Sequence, residues 1–290
     1  MRLTVFDIGG SSVKHALWDG EHLVRKSAFP TPKTWEAMKA EMEKVKEIHD
    51  QGGVVEGIAM SCPGAVNRET GIIGGLSAVS YIHGFPIREE LEGLFHLPVS
   101  MENDANCAAL AELHEGVAKD VDHALFLIIG SGIGGTVIQG RKIHRGKNLF
   151  GGEFGYMLLD ESHTLSALGS PVKAAERYRI EMGLDVADGT LLFREADRGE
   201  PTAMKHVESL VDALARGIYN LSVAFNPDLV ILGGGISDRE DLIERISGKV
   251  VQHLKDRGAE ALDVSIVPCT FRNDANLLGA VLNFLEPDQK

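Results

Sequence analysis

Residues 3–18 read LTVFDIGGSSVKHALW, and residues 124–138 read ALFLIIGSGIGGTVI. Each stretch begins with an apolar, β-rich run, passes through a glycine-rich turn and continues in a second run of β-type residues. Hairpin-turn signals follow both, at Asp19-Gly20 and at Gln139-Gly140. Because the same order of elements occurs twice, the sequence predicts two similar α/β domains that meet near residue 115.

The rest of the chain alternates in the same way between apolar runs and amphipathic repeats. Strands are predicted at residues 54–60, 99–101, 229–232 and 263–267, and helices at 35–48, 87–95, 105–112, 210–221 and 275–285. The N-terminal domain is predicted to span residues 1–115 and to be completed by a closing helix within 275–290. A larger C-terminal domain is predicted over residues 116–274.

Composition narrows the class of protein. The 290 residues are 44% hydrophobic and 24% charged, which is ordinary for a globular chain and enough for two cores. A net charge of −13 disfavours binding to nucleic-acid phosphates or anionic membranes. Three scattered cysteines, no signal peptide and no apolar run near ~20 residues predict a cytoplasmic protein without nucleic-acid or membrane partners.

The glycine turns are the first chemical signal. Gly130-x-Gly132-x-x-Gly135 matches the dinucleotide fingerprint, and Glu153 lies near its expected acidic position. That fingerprint must open a helix, whereas a predicted strand follows here. A glycine turn between strands can still bind phosphate through backbone N–H groups, although it can also be only a tight hairpin. The second such turn, DIGGSS at residues 7–12, favours phosphate binding. Neither turn has the spacing of the common P-loop.

Five motifs together resemble those of the ROK family in order and spacing. They are DIGGSSVK at 7–14, ENDAN at 102–106, GSGIGG at 130–135, GEFG at 152–155 and LGGGI at 232–236. The family contains sugar kinases and sugar-responsive repressors, and the resemblance covers nearly the whole chain. It implies the two-domain α/β fold of the actin-like ATPases (ribonuclease H-like), with the active site in the cleft between the domains.

The resemblance also implies roles in sugar binding and catalysis. Asp104 would be the catalytic base that takes the proton of a sugar hydroxyl; outside the ENDAN motif, an aspartate there would more simply cap a helix. Asn103 and Glu153 would hydrogen-bond sugar hydroxyls, and the glycines around Glu153 suggest close packing to a ligand. Pro63 and Gly64 resemble a loop beside the sugar, or form only a turn.

ATP and Mg²⁺ are the implied cosubstrate and metal. Asp7 would hold Mg²⁺ through water, the alternative being a buried turn aspartate. The residues expected to line the ATP phosphates are Gly9, Gly10, Ser11, Lys14, Gly130, Gly132 and Gly134. Gly234 and Gly235 match the adenosine segment of the family, where missing side chains leave room for a flat base.

Two departures from the family pattern bear on the substrate. Most members carry a zinc site with a histidine where this chain has Tyr156, followed by a cysteine-rich segment, whereas residues 158–178 contain no cysteine. His163 stands alone there, so we predict no zinc site. Residues 77–84 also lack the asparagine-containing stretch of the glucokinases. Both departures favour a zinc-free subgroup that includes β-glucoside kinases.

The resulting prediction is an enzyme that uses ATP to phosphorylate the 6-hydroxyl of a hexose or hexose unit, a β-glucoside or glucose. An N-acetylmannosamine kinase is the alternative within the family. A non-catalytic, sugar-sensing regulator is the alternative of a different class. The repressors carry an N-terminal helix-turn-helix, for which a first strand at Leu3 leaves no room. The resemblance further implies a homodimer.

Overall fold

The computed structural model describes residues 1–271 and 274–286. The chain divides into two compact units. The first unit comprises Met1–Glu115, Lys147–Phe150 and Asn273–Lys290, and the second comprises Gly116–Gly146 and Gly151–Arg272. Each unit is built on its own five-stranded sheet.

The strands and helices follow in chain order. They are β1 (Leu3–Ile8), β2 (Ser12–Trp18), β3 (Leu23–Pro30), α1 (Trp35–Asp50), β4 (Gly57–Cys62), β5 (Ala65–Asn67), β6 (Ile72–Gly74), α2 (Ile87–Phe95), β7 (Val99–Asn103), α3 (Asp104–His114), β8 (Ala124–Ile129), β9 (Ile133–Gln139), β10 (Lys142–Ile143), α4 (Leu165–Gly169), α5 (Pro171–Met182), α6 (Gly189–Asp197), α7 (Pro201–Phe225), β11 (Leu229–Gly234), α8 (Glu240–Asp256), β12 (Ser265–Pro268) and α9 (Ala275–Leu285).

The two sheets share one topology. The first has the strand order β3-β2-β1-β4-β7 and the second has β10-β9-β8-β11-β12. In each, a meander of three antiparallel strands is followed by two strands parallel to the central one. The repeated strand–turn–strand stretches form the centre of both sheets, as β1–β2 and β8–β9.

In the first unit, the alternation of side chains along β1 separates a core face from a functional face. Phe6 and Ile8 are buried in a core that includes Met38 and Met42 of α1. Asp7 points to the other face, where α9 packs on the sheet. A Cβ on Gly279 of α9 would overlap the carbonyl of Cys107, so this glycine allows α3 and α9 to approach closely.

In the second unit, a long helix covers the sheet. Leu125 and Leu127 of β8 are fully buried in a core that includes Leu210, Leu214 and Ile218 of α7. The last three recur at spacings of four residues and therefore lie on one face of that helix. No helix in residues 1–271 or 274–286 is long and apolar enough to cross a membrane.

The helices α2 and α9 have their predicted bounds, α9 over the predicted residues 275–285. Residues 287–290 of the closing-helix prediction lie outside the described residues. The strand predicted from Val54 was wrong at its start. β4 begins at Gly57, which is paired with Leu3, while Val54 is 77% exposed. β3 was not predicted, because it is a mostly exposed edge strand without clear alternation.

The second glycine turn is shorter than predicted. The strand was expected only after the GSGIGG motif at 130–135, but β9 begins at Ile133, because Gly134 and Gly135 are already paired with β8. A Cβ on Gly135 would overlap the carbonyl of Phe126, which explains a glycine inside this ladder. Only residues 130–132 form the turn, and a strand follows it, as the sequence predicted.

Candidate active site

Asp7 lies near the end of β1 and is only 7% exposed. Two donors hold its carboxylate: Ser61 Oγ at 2.8 Å and Asn276 Nδ2 at 3.0 Å. Both act on Oδ1, and no described residue donates to Oδ2. A single, rigidly held carboxylate fits Mg²⁺, which keeps much of its water shell. Neither partner was predicted, and Asn276 is 269 positions away in the chain.

The helix cap beside Asp104 is supplied by Asn103. Asn103 Oδ1 accepts the N–H of Asn106 at 3.1 Å, and its Nδ2 donates to Asp104 Oδ1 at 2.9 Å and to the Gly64 carbonyl at 3.0 Å. Asp104 therefore does not serve as the N-cap of α3. Both amide hydrogens of Asn103 are used, so a sugar hydroxyl could meet only the second lone pair of its Oδ1.

The environment of Asp104 shifts its proton affinity. Burial raises the pKa of Asp104 to about 6, and the negative charge of Asp7 adds to the increase. Hydrogen bonds from the Ala105 N–H and from Asn103 oppose this shift without cancelling it. A carboxylate with a pKa close to neutral pH is well suited to general-base catalysis.

The carboxylate of Glu102 holds the same segment through hydrogen bonds, a role that was not predicted. It is fully buried, and its Oε1 accepts the N–H of Asn103 at 2.8 Å and Nδ2 of Asn106 at 2.9 Å. Arg68 Nη1 lies 3.9 Å from the other carboxylate oxygen. These bonds fix the residues on both sides of Asp104. The only sequence signal was the position of Glu102 within the ENDAN motif.

The glycine turn of the first unit is fixed by Thr31. Its Oγ1 donates to the Gly9 carbonyl at 2.6 Å, and its N–H donates to the Ser11 carbonyl at 3.1 Å. A Cβ on Gly10 would lie 2.7 Å from Cβ of Ala78, so the glycine is required by packing here. Lys14 lies directly opposite Asp7 in the β1–β2 ladder. Gly10 and Ser11 are exposed.

The glycine turn of the second unit is held by two serines. Ser170 Oγ contacts the carbonyls of Gly130 at 2.7 Å and Ser131 at 3.1 Å, and Ser166 Oγ accepts the N–H of Ile133 at 2.8 Å. A Cβ added at Gly130 or Gly134 would meet nothing within 4 Å, and one at Gly132 would meet only Ser166 Oγ, at 3.5 Å. Packing therefore does not require these glycines, and they leave an open surface beside the backbone.

Glu153 is partly buried and precedes a short 3-10 helix, Phe154–Tyr156. Burial raises the pKa of its carboxyl group. The glycines around Glu153 were predicted to pack closely to a ligand, but they contact backbone of their own chain. A Cβ on Gly151 would overlap the His144 carbonyl, and a Cβ on Gly152 or Gly155 would overlap a backbone carbonyl of β9. They hold the segment against its own chain, and packing to a ligand does not explain them.

The two glycines assigned to adenosine differ from each other. Gly234 has a φ of +83°, and a Cβ there would overlap the carbonyl of Ile129. Its own backbone therefore requires glycine. A Cβ on Gly235 would meet nothing within 4 Å. Only Gly235 leaves the open space for a flat base that was predicted for both glycines.

No group of three or more His, Cys, Asp or Glu side chains within the described part of the chain could hold a metal ion. Tyr156 is 68% exposed. His163 Nδ1 lies 3.0 Å from Asp160 Oδ1 at the tip of a small hairpin. The prediction that the protein lacks zinc stays a prediction.

The structure thus groups the predicted site residues within each unit. The first unit brings Asp104 close enough to Asp7 for their charges to interact, and joins Asn103 to Gly64. The second unit places the segment that carries Glu153 against β9, directly after the turn at 130–132. Pro63 directly follows β4, and the role predicted for it stays a prediction.

A family model, that of the ROK family, matches residues 4–286. The chain belongs to the ROK family. Among the ROK relatives, the β-glucoside kinase of Listeria monocytogenes is 33% identical over 100% of this chain and 99% of its own length.

Two solved ROK structures are also similar over the full length. A ROK family protein from Streptococcus pneumoniae in complex with sucrose is 35% identical, with a TM-score of 0.90 and 99% of each chain covered. The Lmo2764 protein of Listeria monocytogenes, a candidate N-acetylmannosamine kinase, is 30% identical, with a TM-score of 0.88 and 100% of each chain covered. The predicted family and the predicted α/β fold of the actin-like ATPases are confirmed.

Proposed function

We propose that this ROK protein transfers the γ-phosphoryl group of ATP to the 6-hydroxyl of a β-glucoside. Relatives that include β-glucoside kinases and N-acetyl-D-glucosamine kinases are named sugar kinases, and the prediction of an ATP-dependent carbohydrate kinase is confirmed at that level. The observation that carries the proposed phosphoryl transfer is the environment of Asp104. Asn103 caps α3 in place of Asp104, so the Asp104 carboxylate does not serve as the cap. Burial raises the pKa of Asp104 to about 6.

In the proposed reaction, ionised Asp104 accepts the proton of the sugar hydroxyl. The hydroxyl oxygen bonds to the γ-phosphorus of ATP, the bond from that phosphorus to the β,γ-bridging oxygen breaks, and ADP leaves. Asn103 keeps the carboxylate in one orientation through its hydrogen bond to Oδ1. Glu102 in turn holds the N–H of Asn103. The pKa of Asp104 leaves most of it ionised at pH 7.

The proposed ATP contacts come from the glycine turns and the residues beside them. Gly130, Gly132 and Gly134 offer backbone that no Cβ shields, which suits phosphate oxygens. The turn at 9–11 and Lys14 would also contact the phosphates, and Gly235 with Gly234 would adjoin the adenosine. Asp7 would hold Mg²⁺ through water. The bound ion would neutralise charge on the transferring phosphate.

The proposed sugar contacts are fewer. Glu153 would accept hydrogen bonds from hydroxyls near the anomeric carbon, and Asn103 would accept one through its remaining lone pair. Pro63 and Gly64 would form the adjacent wall. A β-glucoside is favoured over glucose because the similar Listeria monocytogenes protein, 33% identical along its whole length, is named a β-glucoside kinase. The candidate N-acetylmannosamine kinase similar to this chain keeps that sugar as the second candidate.

The cellular setting follows from the same proposal. All three cysteines are buried and none forms a disulfide, as expected in the reducing cytoplasm where sugar kinases meet ATP. The homodimer implied by the family resemblance, like the predicted cleft between the domains, stays a prediction. A non-catalytic sensor is the less favoured function, because a sensor would not need the ionised carboxylate at Asp104.

The testing experiment is an assay of ADP release with MgATP and a panel of sugars. The panel holds glucose, N-acetylmannosamine, N-acetylglucosamine, fructose, cellobiose and an aryl β-glucoside. We expect turnover to be fastest with cellobiose or the aryl glucoside, and phosphorus NMR to place the new phosphate on C6. Preference for N-acetylmannosamine would replace the proposed substrate. Sugar binding without turnover on any member would favour the sensor.

A further inference from the structure

Ser166, near the start of α4, touches both functional segments of the second unit. Its Oγ accepts the N–H of Ile133, the residue that follows the turn at 130–132, at 2.8 Å. The same Oγ occupies the space that a Cβ on Gly155 would need. One hydroxyl oxygen therefore contacts the end of the glycine turn and the segment that carries Glu153.

Other contacts fix α4 in place without Ser166. The N–H of Leu165 donates to the Met157 carbonyl at 2.8 Å, and Arg177 Nη1 donates to the Ala167 carbonyl at 2.6 Å. The Leu165 side chain is fully buried, and a Cβ on Gly217 of α7 would lie 2.8 Å from it. The helix is thus a fixed support, and loss of the Ser166 hydroxyl should leave it folded.

We propose that Ser166 is a positioning residue that couples nucleotide binding to sugar binding. This inference rests on the proposed function, in which the turn binds ATP phosphates and Glu153 binds the sugar. Phosphate held by the turn fixes Ile133, the bond from Ile133 to Ser166 fixes the hydroxyl oxygen, and this oxygen limits where Gly155 can lie. Glu153 is then ordered before the sugar arrives, so the sugar binds more tightly.

Coupling of this kind is reciprocal. If a bound nucleotide tightens sugar binding by some factor, the sugar must tighten nucleotide binding by the same factor. A residue that only supported the fold would weaken both affinities and leave that factor unchanged. The factor therefore separates a coupling role from a structural one.

The test measures four dissociation constants by calorimetry. They are those of the aryl β-glucoside with and without a non-hydrolysable ATP analogue, and of the analogue with and without the glucoside. In the unmodified protein we expect each ligand to tighten the other by about fivefold or more. In Ser166→Ala, which removes the acceptor for Ile133, we expect a factor within about twofold of unity. Ser162→Ala, an exposed serine on the preceding hairpin, is the matched control and should keep the full factor.

Two outcomes would overturn the inference. A coupling factor that is unchanged in Ser166→Ala, even if both affinities fall, overturns the inference, as does a factor of one in the unmodified protein. Should Ser166→Ala not fold, Ser166→Cys, whose sulfur is a weaker acceptor, must give a reduced factor. Failure of the proposed function looks different, because the unmodified protein would then not phosphorylate the glucoside at all.

Discussion

Asn103 Nδ2 donates a hydrogen bond to Asp104 Oδ1 at 2.9 Å. At this helix start, one residue caps the helix and its neighbour presents the carboxylate. Asn103 caps α3 through its Oδ1, so the carboxylate of Asp104 is left for chemistry. The cap thereby orients the proposed base. The arrangement also limits Asn103 as a sugar ligand, since both of its amide hydrogens are used within the protein.

Replacing the proposed base should remove turnover and keep the sugar site. We expect Asp104→Asn to lower kcat by about 10²–10⁴-fold, because the neutral amide cannot take the hydroxyl proton. Calorimetry should show glucoside affinity within about threefold of the unmodified protein. The matched control is Asp120→Asn, an exposed aspartate in the loop after α3, which should retain activity. Loss of glucoside binding in Asp104→Asn would instead make Asp104 a sugar ligand.

The pH dependence of activity should report the shifted carboxyl group. Because burial and the charge of Asp7 raise the pKa of Asp104 to about 6, its ionised form disappears as pH falls through that value. We expect kcat/KM to be constant above pH 7 and to fall about tenfold per pH unit below 6. An acidic limb near pH 4, the ordinary range of an aspartate, would contradict the assignment of Asp104 as the base.

The sugar-site assignment makes a separate prediction for Glu153. Glu153→Gln keeps the size of the side chain and removes its charge, which weakens the hydrogen bonds accepted from sugar hydroxyls. We expect the KM for the glucoside to rise by about tenfold and the KM for ATP to change by less than about twofold. Glu161→Gln, on the exposed hairpin that follows, is the control. Equal increases in both KM values would place Glu153 outside the sugar site.

The glycines divide into two groups that substitution should distinguish. A Cβ at Gly134 meets nothing within 4 Å, so Gly134→Ala should keep the Tm of the unmodified protein while raising the KM for ATP. A Cβ at Gly155 overlaps Ser166 Oγ and the Ile133 carbonyl, so Gly155→Ala should lower the Tm by several degrees. Differential scanning calorimetry and ADP release measure the two effects. An unchanged KM for ATP in Gly134→Ala would argue against phosphate binding at this turn.

Metal content tests the predicted absence of zinc. Elemental analysis of the purified protein should find well under one zinc per chain, and a chelator should leave its Tm unchanged, because Tyr156 replaces the family histidine. The hairpin after Tyr156 is closed by a bridge between Leu158 and Thr164 and by hydrogen bonds to Asp160. Stoichiometric zinc, with a lower Tm after chelation, would overturn the prediction that the protein has no zinc site.

The sequence by itself determined the features that depend on neighbours along the chain. The repeated strand–turn–strand stretches predicted the centre of both sheets, and the apolar pattern at 105–112 predicted the core of α3. Such signals are visible because periodicity and turn chemistry act over a few residues. The five motifs in order were enough to predict the family as well.

Only the tertiary structure decided which groups hold the site residues in place. Asn276 reaches Asp7 across 269 positions, and Ser166 reaches Ile133 across 33. The tertiary structure also decided that Gly151, Gly152 and Gly155 pack against their own chain. No spacing in the sequence encodes such contacts, because they arise when helices and strands from distant parts of the chain pack together, and that packing depends on the shape of whole elements.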